Sequence, residues 1–166
     1  MTVLASGVGF ASSHATEPEQ ALAEIAACVG NEPLAGMLLF CSHRFDRAAL
    51  ARAINRHSEG IVTIGCTSSG ELTERGYDQD SISVIGFPAS GFHLTSHCFD
   101  DIEHFDPIAA RQTVRNLAAV ADRDSRHLGD KVNHVALFLV DGMSHREELL
   151  TMTIQDALGD IPLIGG

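Results

Sequence analysis

The chain has 166 residues, and its 11 Lys plus Arg face 22 Asp plus Glu, a formal net charge of −11. That balance excludes a nucleic-acid backbone as partner, because phosphate binding needs clustered cations, and it excludes an anionic membrane surface. With 45% apolar and 20% charged residues the composition is that of a globular chain able to bury one core, which excludes disorder, collagen and coiled coil.

Residues 2–10 form an apolar, Gly-containing run that predicts a strand. Thr16 then caps a helix, Glu19 completes the capping box, and Pro18 fits the first turn. Leu22, Ile25, Ala26 and Val29 mark its buried stripe, and Gly30-Asn31 ends it. Residues 35–41 predict a continuous apolar strand. A second helix starts near Asp46, with Leu50, Ala53 and Ile54 on one face. Residues 61–66 predict a short β-branched strand running into Thr67-Ser68-Ser69-Gly70. Residues 81–87 and 92–99, joined by Pro88-Ala89-Ser90-Gly91, predict an antiparallel hairpin. Asp106-Pro107 opens the longest helix, with Val114, Leu117, Ala118 and Ala121 inward. Residues 133–140 predict another strand. Residues 144–158 predict a helix with Leu150, Ile154, Ala157 and Leu158 inward, and residues 161–164 begin a last strand that stops at Gly165-Gly166.

Strand–helix–strand units with nearly continuous apolar strands predict an α/β fold: a mixed, mostly parallel sheet with helices on both faces and an inserted antiparallel hairpin. A single domain over residues 1–166 is expected, with no internal repeat. A strand that leads into Gly-Gly without a closing element reads as a fragment of a longer protein. Cys28, Cys41, Cys66 and Cys98 form no C-x-x-C, which excludes zinc ribbons and thioredoxin-like motifs. Buried, unpaired cysteines suit a reducing, cytoplasmic setting. The first basic residue is Arg44, so the start lacks a signal peptide's cationic region.

In open sheets with parallel strands, ligands bind beyond the strand carboxyl ends. This chain places Ser12-Ser13-His14, Ser42-His43-Arg44, Gly65-Cys66-Thr67-Ser68-Ser69-Gly70-Glu71 and Asp141-Gly142-Met143-Ser144-His145 at such ends. In residues 65–71, two glycines flank small hydroxyl residues. Backbone N–H groups and three hydroxyls could hold a carboxylate there. No Lys follows, so it is not a Walker loop. Cys66 could act as a nucleophile activated by His43, His14 or His145 and oriented by Asp141, but cysteines at strand ends are more often packing residues. His93 and His97, four apart in a strand, would stand roughly 13 Å apart at about 3.3 Å per residue, too far to share a metal. A single His in an apolar pocket could hold a haem iron, with His43 and His145 as candidates. Asp78, Asp80, Asp122, Asp124 and Asp130 read as a solvated face.

Several segments now align with one family. Phe40-Cys41-Ser42-His43-Arg44-Phe45-Asp46 resembles the F-x-S-x-x-Y-D segment of FIST sensory domains. Ile64-Gly65-Cys66-Thr67-Ser68-Ser69-Gly70-Glu71-Leu72 resembles their I-G-C-T-T-A-G-E-I loop, and Gly76-Tyr77 their following G-Y. Val140-Asp141-Gly142 and Pro162-Leu163-Ile164-Gly165-Gly166 resemble the later D-G-L and P-I-I-G-G segments. Ser68-Ser69 replaces the usual Thr-Ala, and His43 stands where proline is common. The resemblance implies the N-terminal half of a bacterial intracellular sensor, normally followed by a FIST C-terminal domain. It implies a non-catalytic module that binds a small ligand such as an amino acid. The small and hydroxyl residues at successive strand ends place Gly65, Cys66, Thr67, Ser68, Ser69, Gly70, Glu71, Asp141 and Gly142 along the crevice for it. One branch binds haem and senses nitric oxide, regulating a histidine kinase or a cyclic-di-GMP enzyme. An exposed apolar edge would also favour a homodimer.

Overall fold

The computed structural model describes residues 2–3, 7–29, 32–73 and 76–166. The chain divides into two compact units, residues 1–94 and 95–166. The first unit holds β1 (Thr2–Val3), β2 (Gly9–Ser13), α1 (Pro18–Val29), β3 (Leu34–Ser42), α2 (Arg47–His57), β4 (Val62–Ser68), β5 (Glu71–Thr73), β6 (Gly76–Asp78) and β7 (Ile82–Pro88). The second holds α3 (Pro107–Asp124), a 3₁₀ turn (Ser125–Leu128), β8 (Ala136–Phe138), α4 (Glu147–Leu158) and β9 (Leu163–Gly165).

In the first unit, five strands form one sheet in the order β1-β2-β7-β3-β4. The most apolar strands, β3 and β7, take interior places, as strands buried on both sides do. The Thr- and Gly-containing β4 takes an edge. Of the four strand pairings only β3 with β4 is parallel. The sheet is therefore mixed and mainly antiparallel, not mostly parallel. The expected strand over residues 2–10 is instead two strands, with Thr2 paired to Phe10 and Val3 to Gly9. The expected hairpin partner, residues 92–99, forms no strand. The reason is topological: β2 and β3 occupy both edges of β7, which leaves residues 92–99 no ladder to join. Phe92 instead packs edge-on against Phe87, at 5.3 Å between ring centres. The inserted hairpin is β5–β6. Without a strand, the spacing inferred for His93 and His97 no longer applies.

Both helices of this unit cover the same face of the sheet, not opposite faces. They pack on each other, and Ala21, Leu22 and Ile25 of α1 meet Leu50 and Ala53 of α2 over Ala11, Met37, Leu39, Cys41, Ile82 and Val84. Each fully buried Leu or Ile there contributes about 1.5–3 kcal/mol. Ala26, expected in the stripe of α1, is exposed. Val29's side chain and the expected Gly30-Asn31 stop lie outside the described residues. The N-cap of α2 is Asp46, whose carboxylate accepts from the Ala49 N–H at 2.6 Å. Glu19 of α1 accepts from Arg56 at 2.8 Å and lies 3.0 Å from His57 Nε2, joining the two helices.

In the second unit α3 and α4 pack on each other, with Ala110, Val114, Leu150, Thr153 and Ile154 buried. Asp106 caps α3, accepting from the Ile108 and Ala109 N–H groups. Arg111 of α3 donates to Asp156 of α4 at 2.7 Å. β8 pairs with β9 in parallel, in a sheet of its own.

A repeat is present that the residue pattern did not predict. β3–α2–β4 and β8–α4–β9 are both parallel strand pairs joined by one helix. Buried Leu50 and Ala53 stand 100 positions before buried Leu150 and Thr153, and Gly65 stands 100 before Gly165. Each of these glycines performs the same task. A Cβ at Gly65 would fall on the Leu39 carbonyl, and one at Gly165 on the Phe138 carbonyl. The second strand of each pair thus lies against its partner's backbone where only glycine fits.

Gly65→Ala is therefore expected to destabilise the chain by roughly 2–3 kcal/mol. Gly91→Ala, where an added Cβ meets nothing, should stay within about 0.5 kcal/mol of the parent. Urea unfolding of the two variants checks this, and equal midpoints would refute the close approach.

Candidate functional site

Although only one pair is parallel, β2, β3 and β4 all run the same way. β7 is antiparallel to both β2 and β3, and β4 is parallel to β3. Their carboxyl ends share one edge with the start of β7. Ser13 and Cys41 both pair with Ile82, and Cys41 also pairs with Thr67. One residue further on, Ser42 N–H donates to the Ser81 carbonyl at 3.0 Å.

Side chains stitch this edge together. Glu71 is 2% exposed. Its Oε1 accepts from the Ser68 hydroxyl at 2.6 Å, and its Oε2 accepts from the Ser81 hydroxyl at 2.9 Å and the Ser81 N–H at 3.4 Å. The carboxylate thereby pins the 65–71 loop to the first residue before β7. Tyr77 of β6 lies over Gly70, where a Cβ would strike its ring, and its hydroxyl donates to the Ser69 carbonyl at 3.3 Å. Ser42 Oγ donates to Asp80 at 3.2 Å, and Arg44 Nη1 donates to the same carboxylate at 2.8 Å. His14 Nε2 lies 3.0 Å from Asp78. Ser13 Oγ donates to Glu24 of α1 at 2.6 Å.

Of the residues assigned to a ligand site from sequence, Gly65, Cys66, Thr67 and Ser69 are exposed, Ser68 and Gly70 are half-buried, and Glu71 is buried. They form one contiguous stretch on the edge strand β4 and its turn, so the outer backbone groups of β4 are unpaired in the sheet. Asp141 and Gly142 are exposed and belong to the second unit. There the Asp141 carboxylate accepts from the Met143 N–H at 2.9 Å. In the repeated motif they follow β8 as Ser42 and His43 end and follow β3. Sequence reading missed Asp78 and Asp80 as partners. Only their place in the turn before β7 hinted that they return to the ends of β2 and β3.

Cysteine chemistry has little help here. Burial, then the nearby Glu71 charge, pushes the Cys41 thiol up to about 11. Burial also raises the Cys66 thiol. A thiol held protonated at neutral pH is a poor nucleophile. His43 and His145 are both exposed, in turns, and neither sits in the apolar slot a haem needs. Among the described residues no three His, Cys, Asp or Glu side chains are grouped to hold a metal ion. No helix among them is long and apolar enough to cross a membrane.

The FIST N domain family matches residues 37–166, from within β3 to the last residue. The chain belongs to the FIST N domain family. No curated protein and no solved structure matches it. Membership makes this chain a non-catalytic sensory module of signal transduction. Apart from the first residues of β3 the match takes in both copies of the strand–helix–strand motif, whereas Ser13 of β2 and the following His14 precede it.

Two measurements follow from this geometry. Glu71→Leu leaves the Ser81 and Ser68 donors without their acceptor and should cost about 2–3 kcal/mol, while Glu71→Gln should cost less. Equal losses for the two variants in urea unfolding would show that the hydrogen bonds do not matter. Native Cys41 should resist a disulfide-exchange reagent at pH 7.5, and Cys66 should react more slowly than a free thiol. Rapid labelling of Cys66 in a Cys28→Ser, Cys98→Ser background would contradict the raised thiol.

Proposed function

We propose that this FIST N domain senses a small polar molecule, an amino acid or similar carboxylate, held without chemical change along residues 65–69. One observation carries the reading: three strand ends meet at one edge, where Gly65, Cys66, Thr67 and Ser69 are exposed while Glu71 locks the loop from beneath. A rigid loop with exposed hydroxyls and unpaired backbone N–H groups is pre-organised for an anion. Arg44 with Asp80 puts both signs of charge at the edge, and His14 adds a ring nitrogen 3.0 Å from Asp78. That mixture suits a zwitterion, whose two ends need opposite partners. A bound ligand would act by ordering β4 and its turn, and the output would pass to a signalling enzyme such as a histidine kinase or a cyclic-di-GMP enzyme. The positions of His43 and His145 give the haem reading no comparable support.

Calorimetry with the free amino acids and small carboxylates tests the proposal. At least one should give saturable heat, and Thr67→Val should weaken it about tenfold, the factor for a hydrogen bond to a charged group. Absence of saturable heat, or an affinity unchanged in Thr67→Val, would overturn the assignment.

A further inference from the structure

At the opposite end of the first unit's sheet, beneath the carboxyl ends of α1 and α2, lies a cavity of about 180 Å³. Its wall is mainly apolar, with Leu22, Ile25, Met37, Ile61 and Val84, and His57 and Ser58 also line it. Exposed Ala26 and Glu32 mark the side on which it meets solvent. A pocket of this volume admits a molecule the size of benzene. It is open on one side, and its apolar wall gains dispersion contacts from an apolar guest that water does not supply.

The cavity also carries one polar atom with little to do. Ser58 lies in the wall and is 7% exposed. Its hydroxyl donates to Met37 Sδ at 4.0 Å, a long contact to a weak acceptor. Among the described residues it has no stronger acceptor. A buried donor left in that state lacks most of a hydrogen bond's stabilisation. A guest with one acceptor atom would supply it.

Charge narrows the guest further. The cations nearest this end, Arg56 and His57, are both engaged by Glu19. Glu32 stands at the open side, and the chain carries a net charge of −11. Among the described residues an anion finds no free cation here, and a mainly apolar wall disfavours any ion.

We propose that this cavity is a second ligand site, separate from the β4 edge, for a small neutral molecule with an apolar body and a single hydrogen-bond-accepting atom. Ser58 is the residue that recognises the acceptor. Occupancy would stabilise the packing of α1 and α2 on β3 and β7 by mass action.

Phenol and benzene are the probes, titrated separately into the full ¹⁵N-labelled chain and followed by amide shifts. Both should give saturable shifts centred on the residues around Leu22, Met37 and Ser58. Phenol should bind about fivefold more tightly than benzene, the factor for one neutral hydrogen bond. Ser58→Ala should bring the two affinities together while leaving benzene binding unchanged. Ala26→Phe, on the exposed side, should block both probes while the far-ultraviolet circular dichroism is kept. Non-saturable shifts, equal affinities for both probes in the parent chain, or undiminished binding in Ala26→Phe would overturn the proposal. None of these outcomes bears on the amino-acid titration of Thr67→Val.

Discussion

A carboxylate taken out of water must be hydrogen-bonded, or its burial costs several kcal/mol. Glu71 meets that demand with neutral donors, the hydroxyls of Ser68 and Ser81 and the Ser81 amide. Those donors come from either side of the β5–β6 hairpin, so one side chain closes the whole excursion of residues 69–80. Tyr77 over Gly70 closes it a second time from the outside. The loop that carries the exposed hydroxyls is thus a product of the acid beneath it, and its final position in the G-C-T-S-S-G-E segment has a structural purpose. A glutamate reaching outward to a ligand could not also hold this geometry, because the side chain that binds Ser68 and Ser81 is buried.

Much of this was legible in the residues, and the failures have physical causes. The helices declared themselves through starts and stripes: Asp46 and Asp106, read as helix starts, are N-caps, and Leu22, Ile25, Leu50, Val114 and Leu150 are buried as read. The cap read at Thr16 does not hold, since α1 begins at Pro18 and Glu19 reaches Arg56 and His57 instead. Strand order was not legible. Which strand separates β2 from β3 depends on side chains remote in sequence, and no local pattern in residues 82–88 announces that both its edges are taken. The run 92–99 has strand-like composition, yet composition cannot supply a free partner. Nor does a period of two distinguish one strand over residues 2–10 from two that fold back. The site was half legible: the exposed hydroxyl loop came from its small residues, and Asp80 is exposed as read, but nothing local showed that the fold brings Asp78 and Asp80 to His14, Ser42 and Arg44.

The repeated motif escaped notice because its two copies share geometry more than residues. Cys41 and Val140, or Ala53 and Thr153, are alike only in being small or apolar enough to pack. The shared constraint is the contact at Gly65 and Gly165, where a carbonyl fills the space a side chain would need. Parallel neighbours joined by a helix demand such packing twice over, from the helix above and from the adjoining strand. At the next position the copies differ, Cys66 in the first against Gly166 in the second. The strand ends of β3 and β8 differ likewise, Ser42-His43-Arg44 against Asp141-Gly142-Met143. Framework positions keep their packing role even where their residues change, and the tips share neither residue nor charge.

The reversed strand between β2 and β3 governs how the sheet can be assembled. As the chain leaves the ribosome, β2 finds only its β1 neighbour in place, because β7 is still some seventy residues from synthesis. The amino-terminal segment must wait for distant chain to close on it, and closures over such spans are slow. β3 and β4, joined by a single helix, have no such delay. Nascent chains halted before residue 88 would therefore carry an unmatched strand margin, which makes this step the one where a chaperone has most to shield.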